Sequence, residues 1–142
     1  VVYEPISDKL STGLIESVDR IKLDPLGKES CAIKVKTKEG DTFTLVNILK
    51  DGPVILNNQK CCADFAIFAK RKGKNSVYVG NGSFVENKEF KVEPENRGSF
   101  YMEYDQTSLL VRSNCPIKIQ AKNGMLKEPF YLTGGERIIK ME

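Results

Sequence analysis

The chain has 142 residues, 40% of them hydrophobic and 29% charged, with 22 Lys and Arg against 19 Asp and Glu for a net charge of +3. This is enough apolar material for one core, at a length where neither a metal nor a disulfide framework is needed for folding, so small stapled scaffolds are excluded. The net charge is too mild for a general polyanion binder, and apolar runs such as Phe65 to Ala69 fall far short of the ~20 residues that cross a bilayer, so no membrane span is expected.

The chain opens on Val1 rather than Met, which reads as a processed protein or a piece of a longer one. Leu10 to Ile21 is the one stretch with helical spacing, through Leu10, Leu14, Val18 and Ile21, but Gly13 interrupts it and Val18 to Leu23 alternates equally well. Beyond it, Gly and Pro punctuate short runs that alternate apolar and polar, the period of a strand with one buried face. In Cys31 to Thr37 the expected inward set is Cys31, Ile33 and Val35, and Asp41 to Ile48 follows as a strand. In Ala63 to Ala69 it is Ala63, Phe65, Ile67 and Ala69. The segment Arg71-Lys72-Gly73-Lys74-Asn75 supplies turn chemistry before Val77 and Val79 resume the alternation, so Cys62 to Gly80 reads as a hairpin with a basic tip.

Gly80-Asn81-Gly82-Ser83 reads as a tight turn leading into a strand from Phe84 to Val92. A second hairpin spans Ser99 to Arg112, with Phe100, Met102 and Tyr104 on one arm, Leu109 and Val111 on the other, and Asp105-Gln106 turning. Tyr101 and Tyr104 fall on opposite faces, one expected in the core and one exposed. Ile117 to Ala121 and Arg137 to Met141 complete about nine strands, and residues 1–142 form a single all-β domain, an antiparallel β-sandwich in preference to a barrel.

The sequence holds no histidine. Ser-His and Cys-His nucleophiles, imidazole bases and most catalytic zinc sites are thereby excluded or disfavoured, leaving Lys, Tyr and carboxylates as conceivable bases. No catalytic residue, metal site or cofactor is expected. Cys31, Cys61, Cys62 and Cys115 lack paired C-x-x-C spacing and read as small buried or semi-buried apolar side chains. Gly80-Asn81-Gly82-Ser83 fails as a phosphate loop, because Val85 stands where a third glycine belongs and no Lys-Ser or Lys-Thr follows. Asn81-Gly82-Ser83 is formally a glycosylation sequon.

Charge is concentrated in one place. Between Lys60 and Lys74 five cations (Lys60, Lys70, Arg71, Lys72 and Lys74) stand against Asp64 alone, a local +4 that leaves the rest of the chain at −1. Two readings of Lys70, Arg71, Lys72 and Lys74 stand side by side: a glycan-binding cluster for an acidic polysaccharide, or a plain solvated hairpin tip. Nucleic acid is disfavoured, since no aromatic residue within the cluster could stack on bases.

The run Cys62-Ala63-Asp64-Phe65-Ala66-Ile67-Phe68-Ala69-Lys70, followed after a polar turn by Ser76-Val77-Tyr78-Val79-Gly80-Asn81-Gly82-Ser83-Phe84, resembles the C-terminal β-domain of heparinase II/III-like polysaccharide lyases. There a strand of the type x-A-D-x-A-h-h leads through a charged turn to one ending in x-G-x-G-S/T-x-h, and the match covers about a quarter of this chain. The resemblance implies a non-catalytic β-module at the C-terminal end of a bacterial, periplasmic or extracellular enzyme that cleaves an acidic glycan by β-elimination. Its partners would be the preceding catalytic domains of the same protein and the polysaccharide itself. An independent carbohydrate-binding or adhesion module with no enzyme attached is the alternative, and a free-standing enzyme is a third.

Overall fold

The computed structural model describes residues 14–24, 30–48, 52–122 and 124–141, and these are all β. Twelve strands follow in chain order: β1 (Ile15–Ile21), β2 (Cys31–Thr37), β3 (Thr42–Asn47), β4 (Val54–Leu56), β5 (Gln59–Arg71), β6 (Lys74–Glu86), β7 (Phe90–Pro94), β8 (Gly98–Tyr104), β9 (Ser108–Ser113), β10 (Ile117–Ala121), β11 (Phe130–Leu132) and β12 (Gly135–Lys140). All pairings are antiparallel, and they join the strands into one sheet. The antiparallel all-β expectation holds, with more strands than the sequence suggested. The Leu10 to Ile21 stretch contributes strand from Ile15 onward, while its first residues, 10–13, lie outside the described residues.

The organising element is the hairpin of β5 and β6, each 13 residues long. Its tip half pairs with β3 on one side, through Phe65 to Lys70, and with β8 on the other, through Asn75 to Val79. Its base half pairs with β4, through Gln59 to Cys61, and with β7, through Val85 and Glu86. One pair of strands therefore serves two arms of the sheet, β1-β2-β3-β5-β6-β8-β9-β12 and β4-β5-β6-β7-β10-β11. The arms enclose a common core in which Phe90 of β7 meets Tyr104 of β8 edge to face, ring centroids 4.9 Å apart.

The switch between arms is made by irregularities in β6. The register slips where Cys62 and Ala63 face Phe84 and Gly82, and again where Val79 and Gly82 face Phe100 and Gly98, with Asn81 in the left-handed region at φ 51°. Each slip adds a residue to β6, which is how a β-bulge bends a strand and re-aims its side chains. Gly80-Asn81-Gly82-Ser83 is thus a bulged stretch of continuous strand, not the turn expected from its composition. Turn residues and bulge residues are the same residues, because both positions require unusual φ and close backbone approach.

Gly82 shows why. A Cβ there would stand 2.3 Å from Val79 Cγ1, 3.0 Å from Ala63 Cβ and 3.1 Å from the Cys62 carbonyl oxygen. Gly82→Ala is expected to cost about 1–3 kcal/mol by overpacking. Urea denaturation should show a lowered midpoint, and an added Val79→Ala should recover only part of it, because the Ala63 and backbone contacts remain. A midpoint equal to the parent's would show that the crossing is not tight.

The expected inward faces are also corrected. On β5 the buried set passes from Cys61 and Ala63 to Ala66 and Phe68, leaving Phe65, Ile67 and Ala69 half-buried on the outer face, where Phe65 meets Tyr78. On β2 it is Ala32 that faces the core, opposite Val46, while Cys31 is exposed, Ile33 is half-buried and Val35 is buried on the outer side. The second hairpin matches expectation: Phe100, Met102, Tyr104, Leu109 and Val111 are all buried, and Tyr101 is half-buried on the other face. The stretch from Phe84 to Val92 divides into the end of β6, a turn around Asn87, and β7.

Candidate functional site

The basic tip forms as the sequence predicts. Arg71 pairs with Lys74, and the intervening Lys72 and Gly73 have φ of 48° and 81°, positive at both central positions as a two-residue I′ hairpin turn requires. The four cations do not form one patch, however. Lys70 stands in register with Thr42, Asn75 and, one strand further, the buried Tyr104, so its side chain belongs to the inner face. Arg71 and Lys74 lie on the outer face, and Lys72 caps the turn.

Two of the four are held by carboxylates. Arg71 Nε lies 3.4 Å from Asp41 Oδ2, its guanidinium 5.8 Å from the centre of the Phe43 ring, and the Lys72 N–H donates to Asp41 Oδ1 at 3.3 Å. Lys74 Nζ donates to Glu103 Oε1 at 3.0 Å while the Tyr101 hydroxyl donates to Oε2 at 3.0 Å. The hydrogen bond from Lys74 holds the Glu103 carboxyl below its usual range, and Glu103 raises Lys74 in return. Lys70 and Lys72 make no ion pair among the described residues.

Beside Lys70 the inner faces of the two arms diverge into a polar cleft of about 220 Å³. Thr42, Thr44, Lys70 and Asn75 project into it from one arm and Gln59 from the other, over a floor of Phe68 and Val77. Pairing rows fix these directions, since Thr44, Phe68 and Val77 lie side by side, as do Thr42, Lys70 and Asn75. No single stretch of sequence marks this site; it is assembled from β3, β5 and β6.

At its back, Asn87 is buried and fully engaged. Its Oδ1 accepts the N–H groups of Glu89 and Phe90 at 2.9 and 2.7 Å, and its Nδ2 donates to the Tyr104 hydroxyl at 3.0 Å. A larger, shallower depression of about 410 Å³ lies on the outer face beside Tyr78 and Tyr101, but its charged rim, Arg112 and Glu136, is an ion pair with itself.

The motif behind the family resemblance has a structural role here. Asp64 accepts from Asn81 Nδ2 at 2.6 Å and from Arg97 at 2.6 Å, Arg97 also donates to the Asn81 carbonyl oxygen at 2.8 Å, and the Asn81 N–H donates to Ser99 Oγ at 3.2 Å. The A-D of β5 and the G-N-G-S of β6 together build and clamp the bulge, and the sequon amide of Asn81 is occupied by Asp64. Among the described residues no group of His, Cys, Asp and Glu is arranged to hold a metal, and no helix is long and apolar enough to cross a membrane. Searches of family models, curated proteins and solved structures return no match to this chain.

Two buried acids of high pKa sit near this region. Burial, then the Glu89 charge, pushes the Tyr104 hydroxyl up to about 12, and burial, then neighbouring Cys62, pushes the Cys61 thiol up to about 12. In the unfolded chain these groups ionise near their ordinary values of about 10 and 8.5. The unfolded state therefore releases protons first as pH rises, so the stabilisation is complete below about pH 8.5 and lost progressively toward pH 12. Denaturant midpoints measured from pH 8 to 11 should fall, and in Cys61→Val the fall should begin only near pH 10. Superimposable profiles for parent and variant would contradict the assignment for Cys61.

Proposed function

We propose that this chain is a non-catalytic binding module for an acidic polysaccharide, acting beside the catalytic domains of a β-eliminating lyase as its resemblance to heparinase II/III-like C-terminal β-domains implies, with a periplasmic or extracellular address. The observation that carries the reading is the presentation of charge at the hairpin tip. Lys72 stands without a counter-ion among the described residues on a turn whose flanks are fixed by the Arg71–Asp41 and Lys74–Glu103 pairs, and Lys70 stands unpaired on β5 beside it. A sequence without histidine supports the non-catalytic part of the reading.

Cations held this way attract a polyanion through a screened term that weakens as salt rises. Replacing Lys70, Arg71, Lys72 and Lys74 together by Ala should reduce retention on an acidic-glycan column at low salt, with the difference shrinking toward physiological salt and no change on an uncharged glycan. Attached to its catalytic domains, the same variant should raise KM and leave kcat nearly unchanged, since uniform binding lowers KM without altering turnover. Equal retention of variant and parent at both salt concentrations would leave these residues as solubilising charge and refute the reading.

A further inference from the structure

We infer that the cleft between the two arms is a second binding site, sharing only Lys70 with the hairpin-tip cluster, which takes one small polyhydroxylated carboxylate, a single sugar-acid unit. This inference does not rest on polymer binding by the hairpin tip and would stand if that failed. The cleft gathers two hydroxyls (Thr42 and Thr44), two carboxamides (Gln59 and Asn75) and one ammonium (Lys70). Among the described residues, none of these five side chains makes a hydrogen bond within the chain. Asn87 and Tyr104 at the back are buried and bonded to each other, whereas these five side chains stand half-buried or exposed and face the open cleft. Their donors and acceptors are therefore open to a ligand, the few convergent polar groups that a ligand site needs.

The lining states what the ligand is. Hydroxyls and carboxamides both donate and accept, so they match a ligand rich in hydroxyl groups rather than one with a single polar function. Lys70 is the one charged side chain on the wall and no carboxylate accompanies it, so the complement is a single negative charge. The buried Phe68 and Val77 beneath provide an apolar floor for the C–H face of a ring. At about 220 Å³ the cleft is smaller than the roughly 300–1,000 Å³ of sites for drug-sized ligands, so it holds one ring and not a chain.

The test is a nuclear magnetic resonance titration of the whole chain with D-glucuronate and, separately, with D-glucose. Glucuronate should shift the amide signals of residues 42–44, 59, 70 and 75 as one saturable set, and glucose should bind at least several-fold more weakly. Thr44→Val keeps the shape of the side chain and suits a strand, and should weaken glucuronate about fivefold to tenfold, the loss of one hydrogen bond. Lys70→Met, at an exposed position that does not threaten the fold, should remove the preference for glucuronate over glucose. Lys140→Ala, on β12 and outside both the cleft and the hairpin tip, should leave glucuronate affinity unchanged. No saturable shift, shifts located elsewhere, unchanged affinity in Thr44→Val, or equal binding of the two sugars by the parent would each overturn the assignment.

Discussion

Phe90→Ala is expected to be among the most damaging single substitutions in the described core, lowering stability by about 3–5 kcal/mol. The ring is 1% exposed at the first position of β7, where its strand pairs with β10 through Ala121, and it stands edge to face against Tyr104 of the opposite arm. Truncation removes both the transfer free energy of the ring and the aromatic contact, and β7 cannot collapse into the void because it is held between β6 and β10. Total stability of a domain this size is about 5–15 kcal/mol, so the loss is a large share. Thermal unfolding should shift down by about 10 °C or more. Phe90→Leu, which fills most of the volume, should lose markedly less. A drop below about 1 kcal/mol for Phe90→Ala would show that the arms do not meet through this ring.

Asn87→Leu should be of similar severity for a different reason. The substitution conserves volume but leaves the Glu89 and Phe90 amides without an acceptor and the Tyr104 hydroxyl without its donor, all at a position 7% exposed. The Phe90 amide and the Tyr104 hydroxyl are the buried pair, each costing about 1–3 kcal/mol when stranded, so a loss of roughly 2–6 kcal/mol is expected. Asn87→Asp offers a sharper comparison. Its carboxylate still accepts both amides and can take the Tyr104 hydroxyl as a donor, so above the carboxyl titration range it should retain more stability than Asn87→Leu. Equal losses in the two variants, measured by urea denaturation at pH 7, would show that volume and not hydrogen bonding decides this position.

The sequence carried the strands well and their orientation poorly. Hairpins at Lys72-Gly73 and Asp105-Gln106 are legible because a turn and its flanking alternation are local features. The inward face of β5 was not, since apolar residues occupy both parities there: Ala66 and Phe68 face the core, Phe65 and Ile67 do not. What chooses between them is the pair of bulges in β6, a partner strand's property that no pattern within β5 records. β4 and β11, three residues each, are too short to display a period. The tip cations were found by charge density, yet which of them are paired depends on Asp41 and Glu103, 30 and 29 residues away along the chain. Thr42, Thr44, Gln59 and Asn75 gave no signal, being ordinary polar residues until the sheet bends around them.

The hairpin shared by both arms also dictates how the molecule comes apart. β5 and β6 are joined by a two-residue turn, so their pairing is the most local long ladder in the chain and the least costly in loop-closure entropy. β3, β4, β7 and β8 all pair directly with these two strands. Neither arm can open fully without stripping the same backbone that supports the other, so the arms lose their structure in one transition, and the hairpin's central amides, such as those of Ala66 and Val79, exchange with solvent only through global unfolding. The edges, β1 and β12 of one arm and β4 and β11 of the other, remain free to fray on their own, and amide exchange should rank them first.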